Sequence, residues 1–599
     1  MNINILDYGA DREGLQLSTD AINAAIKACA ESGGGYVDVP CGNYVSGTIF
    51  LEDYVILNLH PGSVILGSLE FSDYKGTVRG CSWGTSVASI VGNPHMNDCK
   101  ALVVADRKRH CGIIGQGTID GRRSAKLGYT PEKGRPFLVI FSECSFVTLR
   151  DVTLKNPGMF TFYGLNCTDV KIDGVNIRTA DSVNGDGLDF DGGKRIAISN
   201  CNIDAGDDGI GLKTLTPEEP CEDFTITNCH IRAKHWGAVR IGPESAGDMK
   251  RINISNCCFY DCGDGFKLQL TQNAVFEDFL FDNINMVDVL RPFFCTMNSY
   301  NMSSHVKEIR PLGGKFRRMK FSNMSLQMRD NSHFGPTTVY AVNYISALPG
   351  EAMEDLTFEN IHFIAPGGGS AEAAVRTTGH ADMYDFWSLW PEQLLDLGEM
   401  PGAVMYIRNA KNVKLRDCTF EVREGDARAA IAAECVERLT VSDCEARDCG
   451  GLLRYHRCDE HRVEGCTGDA ISLNEMQVAD WEAYRAQSLA IDAKIRSLVR
   501  DVEKAMQLET AAYYDGCCFD IEAADTSTLW LLIPNFRGNF KLMLNGEEYC
   551  RFEMPVGYRF PYPFAAALKD FVSGDRISAE IMGLEDFELL SKPMLKIKK

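Results

Sequence analysis

The amino-acid sequence predicts an all-β protein whose main part is a right-handed parallel β-helix. The first observation is a repeated pattern, apolar-x-apolar-polar-(Asn/Asp)-x-x-apolar, as in IAISNCNI at 196–203. The second is its period, since the polar slot falls on Asn200, Asn228 and Asn256, each 28 residues after the last. The third is the alternation of apolar residues within each copy, which indicates strands rather than helices. Short strands with such a period are typical of coils that stack on one another.

Two columns of side chains are expected along this stack. Polar residues of successive coils can hydrogen-bond to one another at each bend, and the slot falls at Asp151, Gly174, Asn200, Asn228, Asn256, Asn283, Asn323, Asn360, Asp417 and Asp443. The next position is often cysteine, at Cys201, Cys229, Cys257, Cys418 and Cys444. We interpret these cysteines as buried free thiols, because one residue per coil in a stack of roughly 4.8 Å spacing seldom has disulfide geometry.

Length and composition exclude several classes of protein. A chain of 599 residues with 45% hydrophobic residues is too long for one ordinary core and too apolar to be disordered. Its net charge of −21 disfavours a nucleic-acid or membrane partner, and no apolar stretch reaches the roughly 18 residues that span a bilayer. The N-terminus lacks the basic segment followed by an apolar segment that is typical of a secretory leader, and the cysteines are not expected to form disulfide bonds. We therefore predict a cytoplasmic protein.

Three domains are predicted from changes of pattern along the chain. The β-helix occupies 1–470, a helical linker or cap 471–510, and a small antiparallel β-domain 511–599, in which Asn545-Gly546 is a hairpin signal. Residues 475–509 contain no Gly or Pro and place apolar residues at helical spacing. This helix closes the far end of the stack or joins a second subunit. Self-association through it or through the C-terminal domain therefore stays open.

The N-terminal region is predicted to begin with a capping helix. Ser18 or Thr19 can start a helix whose apolar positions are Ile22, Ala25, Ile26 and Cys29. Such a helix over the first coil would protect an otherwise open sheet edge.

Acidic strings recur one coil apart in the centre of the repeat, as DGLDFD at 186–191 and DGIGLK at 208–213. Asp186 and Asp208 then lie on neighbouring coils with backbones roughly 5 Å apart, and Asp207 adds a third carboxyl group. At least one pKa is expected to be raised, because three acids so close cannot all ionise freely. Such a set suits glycoside hydrolysis, which needs one protonated and one ionised carboxyl group. A solvated acidic turn or a calcium site is the alternative.

Four strings together resemble a known motif series. They are NGDGLDF (184–190), GDDGIGLK (206–213), GAVRIGPE (237–244) and DGFKLQ (264–269). The series is similar to that of glycoside hydrolase family 28, which contains the polygalacturonases and rhamnogalacturonan hydrolases, and the resemblance covers most of the chain before the helical linker. It implies a right-handed β-helix that hydrolyses α-linked uronate or rhamnose glycans with inversion.

The resemblance also implies roles for individual residues. Asp207 would be the general acid, and Asp186 with Asp208 would position and deprotonate the attacking water. Asn184 and Lys213, which belong to the same strings, would bind substrate. We expect no cofactor and no metal, and an oligosaccharide as the partner.

The sequence departs from the family pattern at two places. The family usually has a histidine in a Gly-His-Gly just before an Ile-Gly pair, whereas His235 lies slightly upstream here. His235 either tunes the acids or is a surface-loop histidine. Trp236 can occupy the family position, where it either stacks on a sugar or only packs against a loop. The family's later Arg-Ile-Lys, which binds a substrate carboxylate, reads Lys267-Leu268-Gln269. Alternation puts Lys267 and Gln269 on one outward face, so both can reach the cleft.

Arg240 is a further candidate for substrate binding. Strict counting from coil to coil sends its side chain inward, where an unpaired charge would be costly. A register slip of one residue instead buries Val239 and Ile241 and turns Arg240 outward beside Lys267. We predict the slip, which gives a cleft that favours a negatively charged sugar.

The hypothesis drawn from the sequence is an inverting glycoside hydrolase, catalytic through Asp186, Asp207, Asp208 and His235, that acts on pectic oligosaccharides. Exo-action fits a cytoplasmic enzyme that meets fragments rather than polymer. A β-helix lyase or epimerase, or a non-catalytic glycan-binding β-helix, are the alternatives.

Overall fold

The computed structural model shows two compact units, one with the strands up to residue 472 and one with those from 509 onward. Some residues are outside its description, namely 77–99, 124–134, 183, 235, 271–272, 298–313, 330–341, 348–350, 376–399, 473–500, 502–503, 506–507, 523–528, 538–539, 553–561, 569–575, 585–587, 590–591 and 598–599. Each unit is treated separately below.

The first unit is a solenoid of parallel strands that form one 33-stranded sheet. Its N-terminal strands are β1 (Asn2–Asn4), β2 (Glu13–Leu17), β3 (Gly35–Val39), β4 (Gly42–Ser46), β5 (Ile49–Phe50), β6 (Val55–Leu59), β7 (Ser63–Gly67), β8 (Ala101–Asp106), β9 (Gly112–Gly115), β10 (Thr118–Asp120), β11 (Phe137–Ser142), β12 (Ser145–Arg150), β13 (Thr153–Lys155), β14 (Phe162–Asp173) and β15 (Asn176–Arg178). The predicted parallel β-helix is confirmed.

The central and later coils continue this pattern. Their strands are β16 (Leu188–Ser199), β17 (Asn202–Ala205), β18 (Ile210–Thr214), β19 (Cys221–Thr227), β20 (His230–Ala233), β21 (Gly237–Ser245), β22 (Met249–Leu270), β23 (Val275–Met297), β24 (Lys315–Met328), β25 (Asn343–Ala347), β26 (Met353–Ala365), β27 (Gly402–Arg416), β28 (Thr419–Asp426), β29 (Ala429–Ser442), β30 (Glu445–Cys449), β31 (Leu453–His456), β32 (Arg462–Glu464) and β33 (Ala470–Ser472).

One face of the solenoid carries the polar strings of the sequence. Here β14, β16, β18, β21, β22, β23, β25 and β27 pair side by side in parallel. Side chains alternate across these strands, so Leu188, Ile210 and Val239 enter the buried core. The residues that follow them point outward and form what we call the outer row: Tyr163, Asp189, Gly211, Arg240, Lys267, Phe294, Tyr344 and Tyr406.

The polar slot is a bend in the left-handed backbone region, which asparagine tolerates better than most residues. The φ angle is +56° at Asn200 and Asn228, +55° at Asn256 and +54° at Asn283. The amide of Asn228 donates to Asn200 at 3.3 Å, and that of Asn283 donates to Asn256 at 2.8 Å. The predicted ladder is confirmed, with a backbone reason added to the hydrogen-bonding one.

The cysteines that follow the slot are buried free thiols, as predicted. Cys201, Cys229, Cys257, Cys418 and Cys444 all lie in the interior without disulfide bonds. They fill the corner of each coil with small apolar volume.

An N-terminal helix covers the first coils. The helix α1 (Thr19–Glu31) follows Ser18 as its N-cap and buries Ile22, Ala25, Ile26 and Cys29, the predicted apolar positions. A short helix α2 (Ala371–Ala374) and two 3₁₀ turns (Ile5–Tyr8 and Phe71–Asp73) complete the helical elements that the structure describes in this unit. Within the described part of the chain, no helix is both long enough and apolar enough to cross a membrane.

The second unit contains two antiparallel sheets, as predicted for a small β-domain. Its strands are β34 (Glu509–Tyr513), β35 (Cys518–Glu522), β36 (Leu529–Arg537), β37 (Phe540–Leu544), β38 (Glu547–Phe552), β39 (Tyr562–Leu568), β40 (Arg576–Gly583), β41 (Glu588–Leu589) and β42 (Met594–Ile597). Asn545 and Gly546, with φ of +52° and +82°, make the hairpin turn between β37 and β38. Most of the predicted helix over 475–509 lies outside the described residues, so the boundaries at 470 and 510 stay predictions.

Candidate active site

The acidic strings meet at the start of the strands that carry the outer row. Asp186 precedes β16, and Asp207 and Asp208 precede β18. The two strands pair with Leu188 opposite Ile210. The backbone N–H of Gly187 donates to the carbonyl of Asp208 at 2.9 Å, which fixes the two turns against each other. One carboxylate oxygen from each of the three aspartates lies within 4.8 Å of the others. The structure therefore brings the three predicted acids together.

Asp207 and Asp208 are neighbours in sequence but are held differently. Asp208 is buried, and its two oxygens accept from the Gly237 N–H at 2.9 Å and the Arg240 Nη1 at 3.1 Å. Asp207 is partly exposed and, among the described residues, accepts from neutral donors, the Asn184 side-chain amide at 3.1 Å and the backbone N–H of Asp208 at 3.0 Å. Within that part of the chain, Asp208 thus forms an ion pair and Asp207 does not.

Asp186 is nearly inaccessible, with 3% of its surface exposed. Its Oδ2 lies 3.6 Å from the Lys213 ammonium, whereas its Oδ1 makes no hydrogen bond to the described residues. Lys213 donates more closely to Asp189, at 2.8 Å. Asp189 is a member of the outer row and a site residue that sequence reasoning missed, although strand alternation alone places it outward.

Burial is the main reason that several of these acids hold their protons tightly. It raises the pKa of Asp207 to about 7, helped by the charge of Asp208 and opposed by Arg240 and Lys213. Burial also raises the pKa of Asp186 well above its usual range, with Asp189 and Asp207 adding to the effect. The pKa of Asp189 rises to about 6 for the same first reason. The expectation that crowding would raise at least one pKa is confirmed.

Arg240 lies on the outward side of β21, as the predicted register slip requires. Ile210 pairs with Val239, Gly211 with Arg240, and Leu212 with Ile241. Val239 and Ile241 are in the core. Arg240 then lies beside Lys267 in the outer row, where its Nη2 donates to the Gln269 side-chain oxygen at 3.3 Å.

Lys267 and Gln269 share the outward face of β22, and neither side chain is exposed. The Lys267 ammonium lies 3.6 Å from Asp264, and burial lowers its pKa to about 8. Asp264 is in turn held by two hydrogen bonds from Arg291, at 2.5 and 2.9 Å. Asp264 begins the string DGFKLQ, but sequence reasoning assigned it no role, because its partner Arg291 lies 27 residues further along the chain and in none of the motif strings.

The turn before β21 carries the two remaining candidates. His235 lies outside the described residues. Trp236 is half-buried, and its carbonyl accepts from the N–H groups of Gly263 and Asp264, both at 3.0 Å. Which of His235 and Trp236 takes the family's histidine position stays open.

The three aspartates form the group of described side chains whose spacing could hold a metal ion. Their donor set does not fit one. Both oxygens of Asp207 and both of Asp208 already accept hydrogen bonds from N–H groups. Arg240 and Lys213 also supply positive charge to the cluster at 3.1 and 3.6 Å. A divalent cation would have to compete with these N–H donors and with the two positive charges, so the arrangement suits proton transfer better than metal binding.

Buried aromatic side chains stand on both sides of the polar residues. Phe160 packs against Tyr163 at 5.5 Å between ring centroids and lies 4.4 Å from the Lys213 ammonium. On the other side Phe294 stacks on Tyr344 at 5.6 Å, and Tyr344 packs on Tyr406 at the same distance. An outer apolar cluster covers this second side and contains Leu290, Phe294, Val342, Tyr344, Met400, Tyr406 and Ala432.

Fold and site together define a class: parallel β-helix proteins with a cluster of carboxyl groups on the outer face of one sheet. Comparison with known proteins then shows which family this part of the chain matches. Residues 78–327 match the family described as glycosyl hydrolases family 28, so the resemblance seen in the motif strings is confirmed.

Named relatives include an exo-poly-alpha-D-galacturonosidase of Dickeya chrysanthemi, 28% identical over 42% of this chain and 49% of the relative. A polygalacturonase of Juniperus ashei is 27% identical over 49% of this chain and 57% of the relative. The chain thus spans about half the length of these two relatives.

Solved structures agree with the fold. The family 28 exopolygalacturonase of Yersinia enterocolitica matches with a TM-score of 0.55 and 19% identity, over 73% of this chain and 78% of that chain. An exopolygalacturonase of Thermotoga maritima matches with a TM-score of 0.50 and 18% identity, over 61% and 87%. The prediction of a right-handed parallel β-helix is confirmed.

Proposed function

We propose that this protein is a glycoside hydrolase that removes α-linked units from the end of pectic oligosaccharides, with inversion at the anomeric carbon. The observation that carries the proposal is the cluster of Asp186, Asp207 and Asp208 within 4.8 Å. The family match over residues 78–327 and the relatives named as galacturonan-degrading enzymes support it.

The mechanism follows from how each carboxyl group is held. Asp207, with a pKa of about 7, is half protonated at pH 7 and more so below it, and it donates its proton to the glycosidic oxygen as the bond breaks. Asp208, which forms an ion pair with Arg240 at 3.1 Å, is assigned as the base that accepts a proton from the attacking water. Asp186 presents its unpartnered Oδ1 to the same water and orients it.

Binding of the sugar is assigned to the polar side chains around the acids. Asn184 reaches Asp207, and Lys213, Arg240, Lys267 and Gln269 border the cluster on the neighbouring coils. Trp236 offers a ring for stacking from the turn before β21. The cations favour a uronate, so galacturonides are the first substrates to test.

Exo-action is supported by how enclosed these groups are. The exposed fractions are 2% for Lys213 and 0% for Lys267 and Gln269. The aromatic groups around Phe160 and Phe294 bound the polar region on both sides. An endo-acting enzyme needs a groove that is open along the chain, whereas an enclosed site accepts a chain end.

The test is a screen of the purified protein against α-galacturonide, rhamnogalacturonan and rhamnoside oligomers, with proton NMR of the freshly released sugar. We expect release from one class, with the inverted anomer appearing first. Carboxyl oxygens within 4.8 Å are closer than the roughly 6.5–9.5 Å between the groups of most inverting pairs. The stereochemistry therefore rests on the family resemblance, and early release of the retained anomer would contradict it.

A second candidate function is elimination by a β-helix lyase. Burial lowers the pKa of Lys267 to about 8, so part of this amine is neutral in mildly alkaline solution and able to take a proton from the sugar. Products with ultraviolet absorbance from a new double bond would favour this function, and products without it favour hydrolysis. The cytoplasmic location and the self-association left open by the sequence stay predictions.

A further inference from the structure

We propose that Arg240 is a positioning residue that decides which of two adjacent carboxyl groups carries the negative charge: it keeps Asp208 ionised and leaves the proton to Asp207. This inference rests on the proposed function. It gives Arg240 a part in the chemistry as well as the contact with a substrate carboxylate expected from its sequence position.

The first support is the geometry of the guanidinium group. Arg240 is 8% exposed, and its Nη1 contacts Asp208 Oδ2 at 3.1 Å while its Nη2 contacts the Gln269 oxygen at 3.3 Å. Gln269 thus holds the far nitrogen of the fork in place. A buried guanidinium fixed at two points is a preorganised counter-ion rather than a mobile surface charge.

The second support is that the two carboxyl groups have unequal partners. Asp208 accepts from Arg240 and from the backbone N–H of Gly237. Among the described residues, Asp207 accepts from the Asn184 amide and the backbone N–H of Asp208, both of them neutral donors. A charge-assisted hydrogen bond stabilises the ionised form more than neutral donors do, so the first proton that the pair binds goes to Asp207.

The third support is that the other cations of the site are held by other acids. The Lys213 ammonium lies 2.8 Å from Asp189 and 3.6 Å from Asp186. Lys267 lies 3.6 Å from Asp264. Among the described residues, Arg240 is therefore the cation that forms an ion pair with Asp208.

Other charged groups near the site also act on these two carboxyl groups. Burial and the charge of Asp208 raise the pKa of Asp207 to about 7, whereas Arg240 and Lys213 oppose the shift. The electrostatic environment of Arg240 also includes Glu244. His235, which precedes this strand, lies outside the described residues and is therefore included among the variants below.

The main experiment titrates Asp208 directly by infrared spectroscopy of its protonated carboxyl group. The difference spectrum between wild type and Asp208→Asn isolates this band, and the same difference in an Arg240→Gln background isolates it without the guanidinium. We expect the midpoint of the Asp208 titration to rise by at least one pH unit, a tenfold weaker acid, when Arg240 is replaced. An equal midpoint in both backgrounds would overturn the inference.

Two further variants make this result specific. Arg240→Lys keeps a cation, so its midpoint should stay closer to wild type. It also serves if Arg240→Gln does not fold. Arg251→Gln is the matched control, because Arg251 holds the exposed Asp223 by two hydrogen bonds of 2.6 and 3.2 Å at a distance from the acids in sequence and strand position. This control should leave the Asp208 midpoint and any hydrolysis unchanged.

The pH dependence of kcat/KM tests whether Arg240 has this role during hydrolysis. In Arg240→Gln the acidic limb should move to higher pH, because Asp208 must lose its proton before it can act as a base, whereas His235→Gln should leave that limb in place. An acidic limb that follows His235 and not Arg240 would contradict the inference. If wild type hydrolyses none of the substrates, the proposed function fails, and the infrared midpoints still decide the role of Arg240.

Discussion

At the scale of single residues, similar side chains in this site differ because their partners differ. Asp207 and Asp208 adjoin in sequence, yet among the described contacts Asp208 accepts from a cation and Asp207 from neutral donors. The difference depends on Arg240, which arrives from the next coil, 32 residues away. Local sequence therefore sets which acids are present, and the stacking of coils sets which of them keeps its proton.

Replacing Asp207 by Asn tests its role as general acid. We expect kcat to fall by about 10²–10⁴-fold, the usual contribution of such a group. The thermal midpoint at pH 8 should stay the same or rise, because burial opposes ionisation of this carboxyl group and the amide carries no charge. Asp223→Asn, which changes an exposed aspartate paired with Arg251, is the matched control and should keep full activity. An active Asp207→Asn enzyme would remove Asp207 from the mechanism.

The raised pKa of Asp207 also predicts the alkaline limb of the pH profile. A general acid works only while protonated, so on the alkaline side of its optimum kcat/KM should fall to half near pH 7, where Asp207 loses its proton. Initial rates between pH 4 and 9 measure this limb. A rate that stays constant up to pH 9 would show that another group donates the proton.

Much of the site at this scale could be predicted from motif strings. The three acids, Lys213 and the outward pair Lys267 and Gln269 all lie where the spacing placed them. The ion pair of Asp264 with Arg291 could not be predicted, because it needs the register of β22 against β23 and Arg291 lies in none of the motif strings.

At the scale of the structural element, each coil is defined by a bend as much as by its strands. The asparagine slot combines a left-handed backbone with a side chain that bonds to the next coil, as for Asn256, whose oxygen accepts from Asn283 at 2.8 Å. The sequence predicted the slot because residue type and spacing repeat. The register of β21 was harder to predict. Counting from coil to coil points Arg240 inward, and its side chain turns outward only if the register slips by one residue before the strand.

Substitution at this slot separates the two contributions. Asn256→Ala should lower the free energy of unfolding by about 1–2 kcal/mol, since it strains the backbone and removes the ladder bond. Asn256→Gly should cost less, because glycine accepts φ of +55°. Asn253→Ala, on the exposed side of the same strand, is the control. Urea unfolding followed by circular dichroism gives the ranking, and equal losses for all three variants would contradict it.

At the scale of the whole molecule, the fold could be predicted from the sequence, whereas the burial of the site's side chains could not. A period of 28 residues and the hairpin at Asn545-Gly546 were enough to indicate a stacked β-helix and a separate β-domain. The aromatic side chains that flank the acids come from Phe160, Phe294, Tyr344 and Tyr406, at irregular distances along the chain. Because insertions interrupt the period here, no counting rule brings these residues to one face.

The burial of the site's side chains predicts which products hydrolysis releases first. An oligosaccharide labelled at one end, from the class found active in the screen, should shorten one unit at a time, and the viscosity of a polymer substrate should hardly change at early times. Chromatography of the labelled ladder gives the pattern, with Asp207→Asn protein as the blank. Early fragments from the middle of the chain would show an open groove and endo-action.

The column of interior thiols has a practical consequence for following how this solenoid comes apart. The five thiols of the column, Cys201, Cys229, Cys257, Cys418 and Cys444, are buried, whereas Cys449 and Cys466, toward the last described coils, are only partly covered. An alkylating reagent should therefore mark cysteines in the order in which coils separate. Peptide mass spectrometry of partially labelled protein would then show at which end of the β-helix unfolding begins, with no need to engineer new cysteines.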